Sequence, residues 1–164
     1  MWGDLQNPNG PSGTTNPTFS VNDSFTSKGF TITTQPGQVY DDSLKGSNAE
    51  YLIGQSHKGY DIVAPGGIGA EVNNFFNVPL EVVSTGESSS WGNYILVKPK
   101  GSDVQFGMGH LNSFSVKEGD VIQPGQPLLI QGSTGSSSGA HIDIQVMNVT
   151  GKAEIDKILG QYLK

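Results

Sequence analysis

The chain of 164 residues contains no cysteine, no arginine and only three histidines. Without cysteine there is no disulfide framework and no thiolate nucleophile, and the redox compartment is left open. Without arginine the chain lacks the usual bidentate reader of phosphates and guanine edges. The nine basic residues are all lysines, scattered from Lys28 to Lys164, against 15 carboxylates and a net charge of −6. No basic stripe can form from them, so neither nucleic acid nor an anionic membrane surface is expected as a partner. No apolar run approaches the roughly 18–20 residues that span a bilayer, so membrane insertion is not expected either. The opening residues, MWGDLQNPNG, carry neither the basic nor the apolar region of a secretory signal peptide. The chain is therefore expected to be mature, clipped or exported by another route.

Hydrophobic residues (34%) and charged residues (15%) are both scarce, and 23 glycines and nine prolines fill the gap. Such a composition disfavours a helix bundle and suits short strands joined by tight turns. Residues 1–29 read as a flexible or docking N-terminal arm, because the run from Asn7 to Pro17 is turn and linker chemistry. From Phe30 the pattern turns to strands: 30–34, 60–64, 80–85, 93–99, 104–110, 121–123, 128–131 and 141–147, with Gly-, Pro-, Asn- and Ser-rich separators. The expected fold is all-β, an antiparallel sandwich or barrel-like domain over residues 30–150. One helix is expected, over 151–164, where Ile155, Ile158, Leu159, Tyr162 and Leu163 share a stripe. Such a stripe packs on the sheet or on a neighbouring chain.

Each histidine has a suggestive setting. His57 and Asp61 are two metal-capable side chains four apart at the mouth of a strand. His141 and Asp143 are two apart on a strand, so they share a face while Ile142 and Ile144 enter the other layer. His110 ends a strand after Gly107-Met108-Gly109, where small residues leave room for something to approach. A lone histidine is more often structural than functional. Gly135-Ser136-Ser137-Ser138-Gly139 matches a nucleophile elbow in form, but the alternating strand that follows, where a helix is needed, argues against a serine hydrolase. The hairpin around 119–129 is similar to half of a biotinyl or lipoyl carrier domain, yet no lysine sits at its tip.

Taken in order, these segments resemble the LytM-type M23 metallopeptidases, which cut peptide bonds in bacterial cell walls. The residues carrying the likeness are His57-Lys58-Gly59-Tyr60-Asp61 with Ala64-Pro65, Gly92-Asn93, His110-Leu111, the double hairpin of 116–129, and Gly132–Gly139 leading into His141-Ile142-Asp143. The likeness implies the LytM/M23 peptidase fold and a zinc metalloendopeptidase acting on the peptide stems or cross-bridges of peptidoglycan, outside the cell or in the periplasm. It implies His57, Asp61 and Asp143 as metal ligands, with His110 and His141 as the catalytic pair. Asp143 stands where the family usually has a second histidine. Aspartate is a legitimate zinc ligand, but a second carboxylate weakens Lewis acidity and lets Mn²⁺ or a similar ion compete. The family's Phe-Gly-x-Arg before the first histidine is absent; Tyr51 is the candidate there for stabilising the tetrahedral intermediate. The loops 66–77 and 87–91 are expected to wall the groove, with Phe75, Phe76 and Trp91 as substrate contacts. The alternative reading is a degenerate, non-catalytic module in a larger assembly such as a phage virion, meeting other proteins through the arm and the C-terminal helix.

Overall fold

The computed structural model describes residues 20–164. The strands are β1 (Thr31–Thr34), β2 (Tyr60–Val63), β3 (Glu71–Asn73), β4 (Leu80–Ser88), β5 (Gly92–Pro99), β6 (Phe106–Leu111), β7 (Val121–Ile122), β8 (Pro127–Ile130) and β9 (Ile142–Val146). Seven of them form one sheet in the order β1-β2-β9-β6-β5-β4-β7, and β3 pairs with β8 in a second, small sheet. Every pairing is antiparallel. The fold is all-β in class, as the strand spacing implies, and each expected strand is present with its ends close to the expected bounds.

Period-two alternation decides which face each residue takes. Tyr60, Ile62, Phe106, Met108, Ile142 and Ile144 are fully buried on one face. Helix α2 (Lys152–Leu163) covers that face with Ile155, Leu159 and Leu163, also fully buried. Tyr60 is tied to the helix by its hydroxyl, which donates to Asp156 Oδ1 at 2.5 Å. Ile155, Leu159 and Leu163 of the α2 stripe thus pack on the chain's own core, with Ile158 and Tyr162 partly buried beside them. Asp61 and Asp143, one step along from these core residues, point to the opposite face.

Two features depart from expectation. A second helix, α1 (Val21–Ser27), lies inside the stretch read as an arm; Ser20 caps it by accepting from the Asp23 backbone N–H. Its Val21 and Phe25 enter the core, Phe25 packing against Phe30, Tyr60 and Phe75. The folded unit therefore begins before residue 30, and what remains of the arm, residues 1–19, lies outside the described residues. Phe25→Ala is expected to cost about 3–5 kcal/mol, read as a lowered urea midpoint; an unchanged midpoint would show that α1 is dispensable.

The second departure is the 66–77 segment, which is not a groove wall. It contains β3, and buried Asn74 turns the chain inward by donating to the Val78 and Ile122 carbonyls and accepting from the Phe76 N–H. Phe76 then stacks on Phe106 at 4.8 Å, and Phe75 packs on Phe30. Both rings belong to the core rather than to a substrate surface.

Candidate active site

A cleft of about 850 Å³ opens on the sheet face opposite α2 and takes in all three histidines. Asp61 on β2 and Asp143 on β9 are direct cross-strand partners, so their carboxylates lie side by side. His57 precedes β2 and turns back over it. One donor atom from each of His57, Asp61 and Asp143 lies within 4.8 Å of the others.

The protonation of His57 follows from its contacts. Its Nδ1 approaches the Gly59 carbonyl oxygen to 2.5 Å, which requires a proton on Nδ1, so Nε2 is left as a lone-pair atom in the neutral ring. That Nε2 faces Asp61 Oδ1 at 3.0 Å. Two lone-pair atoms so placed call for a positive charge between them. In the metal-free chain a second proton on His57 supplies it: burial pulls the imidazole pKa down, but the hydrogen bond to Asp61 and the charges of Asp61 and Asp143 outweigh that and bring it up to about 8. With His57 neutral, Asp61 Oδ1 and Asp143 Oδ1 are buried with no hydrogen-bond donor. Burial, and then the neighbouring Asp61 charge, push the Asp143 carboxyl above its ordinary range. Orphaned carboxylate oxygens beside an imidazole nitrogen fit a divalent cation by chemistry and by spacing.

His110 and His141 flank this cluster with ring centroids 4.7 Å apart. Each is held by its Nδ1–H donating to a backbone carbonyl, His110 to Thr134 at 2.7 Å and His141 to Gly139 at 2.8 Å. Both therefore keep Nε2 free; that of His141 lies 3.6 Å from Asp61 Oδ1. Burial holds the His110 pKa below its ordinary value. Its backbone sits at φ +63°, a left-handed conformation that non-glycine residues rarely adopt. The register explains it: Asn93 pairs with Leu111 and Ile95 with Met108, so two steps on β5 oppose three on β6. The extra residue is a bulge, a device that re-aims a side chain. The Trp91 carbonyl anchors it by accepting from the His110 N–H at 2.7 Å.

Trp91 lines the cleft beside Ser88 and Ser90. Its indole lies on β6 where Gly107 and Gly109 have no side chains; a Cβ at 109 would come within 2.0 Å of the indole nitrogen. Tyr51 also lines the cleft, at the rim, with its hydroxyl donating to Ser136 Oγ at 3.0 Å. Tyr40 is a cleft residue that the sequence does not announce. Its ring lies 5.2 Å from that of His57, and burial, then the Asp61 and Asp143 charges, keep its phenol protonated far above the ordinary range. It reaches the site because Val39 bridges to Ser56, a pairing across a long loop that leaves no local pattern.

Residues 55–156 match Peptidase family M23, and the chain belongs to that family. It is 33% identical over 107 residues to lysostaphin of Staphylococcus staphylolyticus and 35% identical over 107 residues to the glycyl-glycine endopeptidase ALE-1 of Staphylococcus capitis. Each match covers 59% of this chain, but only 22% and 29% of those proteins, respectively. Among solved structures, the catalytic domain of the antimicrobial peptidase lysostaphin from Staphylococcus simulans aligns with TM-score 0.58 at 27% identity, covering 76% of this chain and 84% of that domain. A point mutant of the catalytic domain of the prophage-encoded M23 protein EnpA from Enterococcus faecalis aligns with TM-score 0.52 at 26% identity, covering 70% of this chain and 78% of that one. The chain thus has the LytM/M23 peptidase fold.

Proposed function

We propose that this chain is a metal-dependent endopeptidase that cuts peptide stems or cross-bridges of bacterial peptidoglycan at the cell wall, and that the ion is zinc, with Mn²⁺ or a similar ion able to compete. The observation that carries the reading is the convergence of His57, Asp61 and Asp143, with two buried carboxylate oxygens that have no donor while His57 is neutral, beneath a histidine pair. His57, Asp61 and Asp143 would hold the ion. When bound, it supplies Lewis acidity, polarising the scissile carbonyl and making water easier to deprotonate.

The chain's own residues supply the rest. In the neutral rings of His110 and His141 the lone pair is on Nε2, because Nδ1–H is committed to a carbonyl. One can accept the proton of the attacking water at Nε2, and an imidazolium so formed can return it to the leaving amine. Tyr40 holds its hydroxyl proton as a donor for the developing oxyanion. Sequence points to Tyr51 for this role, but the Tyr51 hydroxyl is engaged by Ser136, whereas Tyr40 packs its ring on His57. Trp91 and the serines beside it form one wall for the substrate backbone.

The test is to incubate the zinc-loaded chain with purified peptidoglycan and with defined stem and glycine cross-bridge peptides. New amino termini should appear, and a chelator should abolish them. Intact substrates at micromolar enzyme would refute the activity and favour a non-catalytic module.

A further inference from the structure

The orienting contacts around the site are of two kinds. His57, His110 and His141 are each held by a backbone carbonyl. Asp143 is held by a side chain: Gln145 Nε2 donates to Asp143 Oδ2 at 3.0 Å. The other oxygen, Oδ1, stays buried and without a donor.

Gln145 and Asp143 share a face of β9 because they are two apart. The long amide can reach its neighbour because the segment leading into β2 makes room, whereas the space over Gly107, its partner across β6, is taken by the Trp91 indole. On the β2 side lies Gly59, where a Cβ would come within 2.8 Å of Gln145 Cγ and 2.1 Å of the Ile144 carbonyl oxygen. Gly59 therefore serves the site twice, its carbonyl holding His57 and its missing side chain admitting the stem that holds Asp143.

We infer that Gln145 is a positioning residue for metal binding, tying up Asp143 Oδ2 so that Asp143 binds through Oδ1 alone. The inference rests on the metal-site reading above. It has a charge signature. An amide is two-sided: Nε2 serves a carboxylate, and Oε1 would serve an imidazole N–H. A carboxylate at 145 can do only the second. Gln145→Glu thus sets like charge beside Asp143, yet suits a chain that also carries Asp143→His.

Zinc affinity of the full chain, measured by competition with a chromophoric chelator, tests this. Gln145→Leu is expected to weaken zinc about 10–100-fold, and Gln145→Glu at least as much. Adding Gln145→Glu to Asp143→His is expected to leave zinc binding as tight as in Asp143→His alone, or tighter. Unchanged affinity in both single variants, with a parent chain that binds one equivalent, overturns the role of Gln145 and leaves the metal site standing. An equal loss from Gln145→Glu in both backgrounds indicates general damage to the strand and overturns it too. A parent chain that binds no zinc removes the metal reading itself and this inference with it.

Discussion

Replacing His141 with alanine is expected to lower peptide-bond hydrolysis about 10²–10⁴-fold, the usual worth of a positioned acid or base, while zinc content stays at one equivalent. The geometry behind this is the Nδ1–H bond to the Gly139 carbonyl, which leaves Nε2 over the site without joining the three-donor cluster. The partner experiment is best done as His110→Asn, because asparagine tolerates the left-handed backbone that residue 110 adopts at φ +63°. A similar loss of rate with metal retained is expected there. Zinc content by mass spectrometry and cleavage rate on one preparation read both quantities. Loss of zinc in His141→Ala would make His141 a ligand; its Nε2 lies 3.6 Å from Asp61 Oδ1, so the measurement has real power to decide.

The second large effect is expected from Asp143→His. With His57 neutral, the present cluster would bring two negative charges to a bound ion; the variant would bring one. Imidazole suits zinc better than carboxylate does, and carboxylate favours harder ions. Zinc affinity should rise on the order of tenfold, and preference for zinc over Mn²⁺ should rise with it. Gln145 remains a competent neighbour, since its Oε1 can accept from the new ring. Competition titrations with both ions on parent and variant give the comparison. Identical affinities would mean that residue 143 does not touch the metal.

The strands and the site strand are legible in the sequence because alternation is written locally: Ile142 and Ile144 against His141 and Asp143 can only mean two faces. His57 and Asp61 are legible as a pair through their spacing at the mouth of a strand, and the order of the segments supplies the rest. What local pattern cannot supply is contact made at a distance. Tyr40 meets His57 through the Val39–Ser56 bridge, and nothing near Tyr40 marks it. Phe75 and Phe76 read as substrate contacts on a groove-wall loop, yet the hydrogen bonds of Asn74 turn that stretch into the core. Helix α1 is a single short run rich in Ser, Thr and Asn, weak by propensity; its stability comes from Phe25, whose burial is a tertiary fact. The bulge that aims His110 is likewise a register event between β5 and β6, invisible in either strand alone.

The proposed metal site of His57, Asp61 and Asp143 is tested most directly by the zinc stoichiometry of the purified chain beside that of Asp61→Ala. Asp61 stands between the other two donors, 3.0 Å from His57 Nε2 and directly across the strand from Asp143. One equivalent of zinc is expected in the parent and none in Asp61→Ala, with both proteins folded. No zinc in the parent, or a full equivalent in the variant, would contradict it.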